Sequence, residues 1–359
     1  MSPPYDYIDK YILLAYPGDV NQGLFSPNAR DNCTEPFILL KEELSNRGYD
    51  MRAINSKLLP DCGRLIFWDG SGVRYGTGVR GLYRRLKYGD RVRDWLSIGR
   101  RAGLSDRFVL ILWEPPSVHA ETWDLGGYNE FPVVLTWNDA LVDGKRFHKF
   151  CLPVPAHVPA VEKIDFAKKK MLVNISYNKF STYPNELYSA RRDAIRYFEK
   201  KLPEDFDLYG VGWDRPEIRF GSGWQRFGLN CVSKPYTSYR GTIKHKWEVF
   251  PRYKFALCYE SCSDQLGLIT EKIFDCMRAD CVPIYWGAPN VTDYVDPSAF
   301  VDRRQFRSNE ELEEYLASIN EKQYEQFREA IAAYLASEKF RQFLSYRWVD
   351  LVVNTLNLG

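Results

Sequence analysis

Short apolar runs, each closed by a turn or a polar residue, recur along the first half of the chain. They cover residues 11–16, 51–54, 65–68, 108–113 and 133–136. Runs of this length without alternation are typical of strands that are buried on both faces of a parallel sheet. After the first run, Thr34 can cap a helix whose apolar face includes Phe37 and Leu44. Strands that alternate with helices predict an open α/β sheet.

The second half repeats this pattern after a proline-rich, extended stretch at residues 151–159, which predicts a domain boundary. Strand candidates there are residues 171–176, 207–210, 255–259 and 281–285. Helical spacing covers residues 185–200, 308–319, 321–336 and 340–356. We therefore expect an N-terminal domain over residues 1–160 and a C-terminal domain over 161–336. A last helix within 337–359 is expected to pack back on the first domain.

Composition narrows the function classes. The chain has 49 basic and 47 acidic residues, so its charge gives no general argument for nucleic-acid binding. Its eight cysteines form no C-x-x-C pair and its four histidines are scattered, which argues against a disulfide scaffold and against a metal site. No G-x-G-x-x-G follows the first strand, which argues against a nicotinamide-dependent dehydrogenase.

The segment 253–287 concentrates the candidate chemistry. Its first strand ends at the carboxylate of Glu260, a polar loop follows, and Thr270 stands where a helix N-cap is expected before the next strand. Open α/β sheets bind ligands at the carboxyl ends of their strands, and a helix N-terminus favours an anion there. In the first helical turn, Lys272 can pair with a phosphate and Glu271 can accept from sugar hydroxyls. A nucleotide sugar needs both groups, but the pattern by itself predicts only an anion at a helix N-terminus.

A second carboxylate follows the strongest apolar run of the first half. Glu114 comes directly after that strand and before Pro115-Pro116, so it would lie at the ligand edge of its sheet. Partial burial beside Trp113 suits a general base. The alternative is that Glu114 is only a loop residue.

Two further cationic positions have alternative interpretations. Arg191 lies on the same helix face as Leu187 and Ile195, so it either extends to solvent along its apolar stem or binds an anion. Arg192 falls on the polar side of that helix. Lys246, with its neighbour Lys244, either reaches a phosphate or is solvated, and the solvated role is favoured.

The D-x-D triplet at residues 205–207 formally matches the metal-binding motif of other sugar transferases. It precedes its strand instead of following it, so we interpret it as a chance match. No metal ligand is therefore predicted.

The residues YKFALCYES, ITEKIFDC and CVPIYWGAPNVTDYV, within 253–295, resemble the donor-site signature of the inverting α-1,3/4-fucosyltransferases, glycosyltransferase family ten. Weaker similarities are Trp113-Glu114-Pro115-Pro116 to the family's E-S-P segment, and Ala190-Arg191 to its A-R helix. The resemblance implies a GT-B fold, which is two facing Rossmann-like domains with the active site in the cleft between them. It also implies GDP-fucose as the donor, an oligosaccharide or glycoconjugate acceptor, and no cofactor or required metal.

The resemblance also implies roles for individual residues. Glu114 would be the general base, Arg191 and Lys272 would hold the pyrophosphate, and Glu271 would bind donor hydroxyls. The other candidate donor-binding positions are Thr270, Glu260, Ser261, Lys246 and Leu268. Acceptor choice would lie in loops 71–103 and 120–130.

This chain departs from the family pattern at two positions near the nucleotide. Ser261 stands where the family commonly has asparagine, and Leu268 stands where it commonly has an aromatic residue. Two alternatives to fucosyl transfer follow: a degenerate transferase that binds a glycan or nucleotide without turnover, and a transferase that uses a different GDP-sugar.

The sequence also bears on location. We find no basic segment followed by an apolar one at the N-terminus, and no apolar run of the ~20 residues that a membrane helix needs. These features predict a cytoplasmic protein, at most peripheral to a membrane. The alternative is the Golgi lumen, if a membrane anchor has been removed.

Overall fold

The computed structural model describes residues 11–16, 23–71, 94–123, 128–214 and 235–358. The chain divides into two compact units. Unit 1 comprises Met1–Ala156, Leu266–Leu268 and Arg341–Gly359, and unit 2 comprises His157–Gln265 and Ile269–Phe340. Most of the loop at 71–103, which was expected to choose the acceptor, and part of the loop at 120–130 lie outside the described residues.

Each unit is built on a parallel sheet. The strands are β1 Tyr11–Ala15, β2 Asp50–Ala53, β3 Cys62–Trp68, β4 Phe108–Leu112, β5 Val133–Thr136, β6 Phe147–Lys149, β7 Lys170–Ile175, β8 Phe206–Tyr209, β9 Tyr253–Tyr259, β10 Val282–Trp286 and β11 Val301–Asp302. The helices are α1 Glu35–Asn46, α2 Trp95–Arg101, α3 Ala120–Trp123, α4 Tyr188–Lys201, α5 Glu271–Arg278, α6 Val291–Tyr294, α7 Asn309–Ser318, α8 Glu321–Leu335, α9 Glu338–Arg341 and α10 Ser345–Leu356. The predicted α/β class is confirmed.

The strand orders place a crevice in each unit. Unit 1 has the order β2-β1-β3-β4-β5-β6 and unit 2 has the order β11-β10-β9-β7-β8. In both sheets the order reverses next to the first strand, between β1 and β3 and between β7 and β9. Doubly wound sheets bind ligands beyond the carboxyl ends of the strands that flank such a reversal.

The core of unit 1 forms where the sequence is continuously apolar. Every residue of β4 is buried, and the strand lies inside the sheet between β3 and β5. Helix α10 belongs to this unit and packs on α1, where Trp348 meets Phe37 edge to face at 5.5 Å. Ser345 donates to the carbonyl oxygen of Val154 from both its backbone nitrogen and its hydroxyl.

Two local predictions differ from the structure. Thr34 does occupy the N-cap position of α1, but its hydroxyl donates to the carbonyl oxygen of Ser26 and caps nothing. Strands β6 and β11 were not predicted, since they span only three and two residues and show no apolar run.

The D-x-D triplet has a structural role in unit 2. Asp207 is buried in β8, and its carboxylate accepts from Lys170 at 2.7 Å, Arg240 at 2.6 Å and Tyr253 at 2.6 Å. Among the described residues, no group of three or more His, Cys, Asp or Glu side chains is arranged to hold a metal ion. No described helix combines the length and apolarity of a membrane span.

Gly210, just after β8, leads to a first prediction. Its φ is +125°, and an added Cβ would lie 1.9 Å from the Ser176 carbonyl oxygen. Gly210→Ala should therefore destabilise the protein by about 2–4 kcal/mol through overpacking and strain. The control is Gly241→Ala, which has a φ of +98° but no neighbour within 4 Å; it should cost only about 1 kcal/mol of backbone strain. Equal midpoints of urea denaturation for the two variants would contradict this account.

Candidate active site

In unit 1, hydrogen bonds hold the backbone of Trp113 and Glu114 at both of its nitrogens and both of its carbonyl oxygens. The backbone nitrogens of Trp113 and Glu114 both donate to Asp69 Oδ1, at 2.6 and 3.0 Å. The carbonyl oxygen of Trp113 accepts from Trp137 Nε1 at 2.8 Å, and that of Glu114 accepts from Trp123 Nε1 at 3.0 Å. The direction in which the Glu114 side chain leaves the end of β4 is therefore set by side chains from other strands and loops.

An aromatic cluster supports this segment. The Trp113 ring packs against Trp68 at 4.7 Å, Phe37 at 5.2 Å, Trp348 at 5.8 Å and Phe150 at 5.8 Å between ring centroids. Packed aromatic rings stabilise a fold by burying apolar area, and they also prefer particular relative orientations. Because Trp113 is held on several sides, the backbone at the adjacent Glu114 cannot shift without disturbing the core.

Asp69 completes the arrangement from the end of β3. Its φ of 46° is left-handed, an uncommon state for a residue other than glycine. Burial raises the pKa of Asp69 to about 8, against the lowering effect of its hydrogen bonds from the backbone of Trp113 and Glu114; the Glu114 charge raises it further. Tyr16, at the end of β1, faces the same carboxylates, and burial together with Asp69 and Glu114 raises the Tyr16 pKa.

In unit 2, the buried carboxylate of Glu260 links the end of β9 to the start of α5. Glu260 has no exposed surface. Its Oε1 accepts from the Thr270 backbone nitrogen at 2.9 Å, and its Oε2 accepts from Lys272 Nζ at 3.0 Å. Thr270 is the N-cap of α5, as predicted, and its hydroxyl also bonds Glu260 and Lys272. The cap, the cation and the carboxylate thus form one network.

Electrostatics keep the first turn of α5 charged. Burial alone would raise the pKa of Glu271, but Lys272 and Lys246 outweigh it and lower the pKa to about 2. Burial alone would lower the pKa of Lys272, but Glu260 and Glu271 raise it overall. Both groups are therefore ionised near neutral pH, and their side chains are partly exposed, at 45% for Glu271 and 32% for Lys272.

The predicted solvated role of Lys246 is wrong. Its side chain is buried, and Nζ lies 2.6 Å from Asp275 Oδ2 and 3.7 Å from Glu271 Oε1. Asp275 is one helical turn after Glu271, so the two carboxylates share a face of α5 and attract the lysine. Lys244 is the exposed member of the pair.

Arg191 is buried against the carboxyl end of β9. Its Nη2 donates to the carbonyl oxygens of Tyr259, at 2.5 Å, and Glu260, at 3.1 Å, while its buried Nε has no hydrogen-bond partner. Arg191 therefore does not extend to solvent. Arg192 was expected on the polar side but is also buried, because Nη1 donates to the Lys179 carbonyl oxygen and its guanidinium lies 4.0 Å from the Phe180 ring centroid.

Ser261 and Leu268 occupy different surroundings. The carbonyl oxygen of Ser261 accepts from the backbone nitrogen of Leu187 at 2.9 Å, just before α4 begins. Leu268 is buried and belongs to unit 1, together with Leu266 and Gly267. The carbonyl oxygen of Leu266 accepts from the Asp139 nitrogen at 3.2 Å.

The structure brings most of the predicted unit 2 residues together: Arg191, Lys246, Glu260, Ser261, Thr270, Glu271 and Lys272. Glu114 and Leu268 lie in unit 1. Sequence reasoning missed Asp275, although its i, i+4 spacing from Glu271 was a usable signal. It also missed Asp69, which the sequence showed only as a polar residue before a glycine at the end of a strand.

Two doubly wound parallel sheets in one chain, with a helix N-terminus at the carboxyl end of a strand in the second, are the arrangement found in the GT-B fold. A solved α1,3-fucosyltransferase structure with GDP-fucose superposes with a TM-score of 0.52 at 15% identity, over 100% of this chain and 93% of the other. An α-glucosyltransferase structure with UDP and DNA gives 0.50 at 10% identity, over 97% and 99% of the chains. These likenesses show the fold, and the predicted GT-B class is confirmed.

Sequence comparison bears on the family resemblance. Residues 225–347 match the sequence model of glycosyltransferase family 10 (fucosyltransferase), C-terminal region. The resemblance is confirmed over that segment. The chain is 38% identical over 78 residues to the α-(1,3)-fucosyltransferase FucT of Helicobacter pylori, which is 22% of this chain and 16% of that protein. It is 38% identical over 69 residues to an α-(1,4)-fucosyltransferase of Arabidopsis thaliana, 19% of this chain and 17% of the relative.

The Glu260 network leads to a second prediction. Glu260→Gln keeps the shape of the side chain but removes the charge that balances Lys272. Breaking a buried ion pair from one side costs on the order of 3 kcal/mol, so we expect a clear fall in the free energy of unfolding. Urea denaturation at pH 7 measures it, with the exposed Glu310→Gln as the matched control. A Glu260→Gln variant as stable as that control would show that the network contributes little.

Proposed function

We propose that this protein is an inverting glycosyltransferase that moves L-fucose from GDP-fucose to a hydroxyl of an oligosaccharide acceptor. The proposed linkage is α-1,3 or α-1,4 to GlcNAc or Glc. The observation that carries the proposal is the Glu260–Thr270–Lys272 network at the carboxyl end of β9, inside the segment that matches the family. The relatives named above supply the donor sugar and the linkage.

The donor is assigned to the edge of the unit 2 sheet. Lys272 is ionised, partly exposed and fixed at the N-terminus of α5, where backbone N–H groups add positive potential. Negative charge grows on the leaving GDP as the glycosidic bond breaks. A cation that is already held in place stabilises that charge without reorganisation.

Glu271 and Arg191 are given different tasks in this proposal. The exposed carboxylate of Glu271 stays ionised and accepts hydrogen bonds from donor hydroxyls. Arg191 bonds backbone carbonyls at the end of β9, and its unpartnered Nε remains available for a phosphate oxygen. Arg191 therefore both shapes the strand end and contributes charge to the pyrophosphate site.

Glu114 is proposed as the general base. Its carboxylate takes the proton of the acceptor hydroxyl as that oxygen attacks the anomeric carbon from the face opposite GDP. Single displacement inverts the anomeric centre, and the fucosyl–oxygen bond forms as the bond to the GDP phosphate oxygen breaks. The fixed backbone of Glu114 sets the point from which its side chain extends, and a general base must lie within hydrogen-bond reach of the proton that it takes.

A different GDP-sugar is the second candidate, and two residues favour considering it. Ser261 is shorter than the asparagine usual in the family, and Leu268 is a buried aliphatic side chain where an aromatic one is usual. Both changes affect the loop between β9 and α5. Transfer assays with GDP-fucose and GDP-mannose side by side distinguish the two donors.

The third prediction concerns Glu114. Glu114→Gln should lower kcat by about 10²–10⁴, the usual contribution of general-base catalysis, while GDP still binds. A glycan-array transfer assay with GDP-fucose measures activity, and calorimetry measures binding of GDP and UDP. The control is the exposed Glu162→Gln, outside both loops expected to choose the acceptor, which should behave like the wild type.

Three results would count against the proposal. An active Glu114→Gln variant would remove Glu114 as the base. Tight binding of UDP without binding of GDP would remove the donor assignment. Binding of GDP-fucose with no transfer to any acceptor would favour the degenerate transferase.

A further inference from the structure

We propose that Asp69 is a positioning residue for Glu114, because its carboxyl group holds the backbone on which that side chain stands. This inference rests on the proposed role of Glu114 as the general base. Asp69 lies at the carboxyl end of β3, beside the point where the strand order of unit 1 reverses. None of the motif positions assigned to the reaction includes it.

The backbone of Asp69 is held in a strained state. Its φ of 46° is followed by a φ of 67° at Gly70. The Asp69 nitrogen donates to the Ile111 carbonyl oxygen at 2.9 Å, and its carbonyl oxygen accepts from Thr122 Oγ1 at 2.7 Å. Left-handed residues other than glycine cost free energy and persist where the surrounding structure fixes them, often at functional sites.

The side chain of Asp69 uses a single oxygen for both backbone bonds. Oδ1 accepts from the nitrogens of Trp113 and Glu114. An oxygen that already accepts two N–H bonds is a poor place for a proton, so the proton of the neutral acid lies on Oδ2. Neutral Asp69 therefore accepts twice through Oδ1 and can donate once through Oδ2–H. An asparagine side chain offers the same pattern, with an amide group as the donor.

The groups facing Asp69 explain why the neutral form is favoured. Glu114 follows β4 and Tyr16 follows β1, and Cys33 faces Tyr16. Burial and the Glu114 charge raise the pKa of Asp69 to about 8, even though the two backbone N–H bonds lower it. Ionised Asp69 would place a second negative charge beside Glu114.

The fourth prediction compares substitutions at this position. Asp69→Asn should keep kcat close to that of the wild type at pH 7, because asparagine retains the acceptor, the donor and the left-handed backbone. Asp69→Gly relieves the backbone strain but removes the side chain, so kcat should fall by about 10–100-fold, a common effect of losing an orienting group. Asp106→Asn, an exposed site before β4, is the matched control.

The pH dependence separates positioning from a merely structural role. In the wild type, kcat should fall as the pH rises through about 8, the pKa of Asp69, because ionisation places a second negative charge beside Glu114. This alkaline limb should be absent in Asp69→Asn. The proposal is contradicted if Asp69→Asn shows the same alkaline fall in kcat as the wild type, or if Asp69→Gly keeps full activity.

A second measurement needs no substrate. A carboxyl group whose pKa is raised on folding stabilises the folded state fully below its unfolded pKa, and that contribution is lost as the pH rises toward the folded pKa. The Tm of the wild type should therefore fall relative to that of Asp69→Asn between about pH 4 and pH 8. A parallel pH dependence would refute the protonated form. If this difference is found but no fucosyl transfer occurs, the proposed function fails and the protonation of Asp69 stands.

Discussion

A carboxylate with no exposed surface governs the structure at the carboxyl edge of the unit 2 sheet, where the donor is proposed to bind. Glu260 is fully buried, so its charge must be balanced where it lies. Lys272 supplies the positive charge, and the cap of α5 supplies the remaining donors. The same hydrogen bonds that balance the buried charge of Glu260 therefore fix the start of α5 and hold the Lys272 ammonium group there. Site geometry and fold stability depend on one interaction.

Unit 1 reaches a similar result by different means. Its fixed element is not a charged pair but a backbone segment, Trp113–Glu114, whose four polar atoms each have a side-chain partner. Two of those partners are indole N–H groups, which are held by aromatic packing. Preorganised groups contribute to catalysis because they need no rearrangement when charge develops. In each unit, the rigid part lies at the end of a strand and the chemical group extends from it.

The sequence predicted the elements whose pattern is local. β4 was predicted because its five residues are all apolar, which is typical of a strand that is covered on both faces. Thr270 was predicted as an N-cap because it precedes a helix with an apolar face. β6 was missed because Phe147, His148 and Lys149 carry no periodicity. Most of the candidate donor-site residues were predicted as one group because they lie close together along the chain.

Sequence reasoning failed where a partner is distant in sequence. Lys246 was expected in solvent, but its partner Asp275 is 29 residues further along the chain and becomes a neighbour only when α5 packs. Asp69 lies 45 residues from Glu114, and its unusual backbone angle leaves no trace in residue type beyond the glycine that follows it. Such positions are determined by tertiary structure and not by local pattern.

The return of α10 to unit 1 has a consequence for synthesis of the protein. Unit 1 is assembled from the two ends of the described chain, while unit 2 is nearly continuous between them. Domains generally fold as they emerge from the ribosome. Unit 2 can therefore complete its core while unit 1 still lacks Trp348. Until α10 is translated, the side of Trp113 that Trp348 later covers stays unpacked. The segment bearing Glu114 should accordingly be among the last parts of the nascent chain to become rigid.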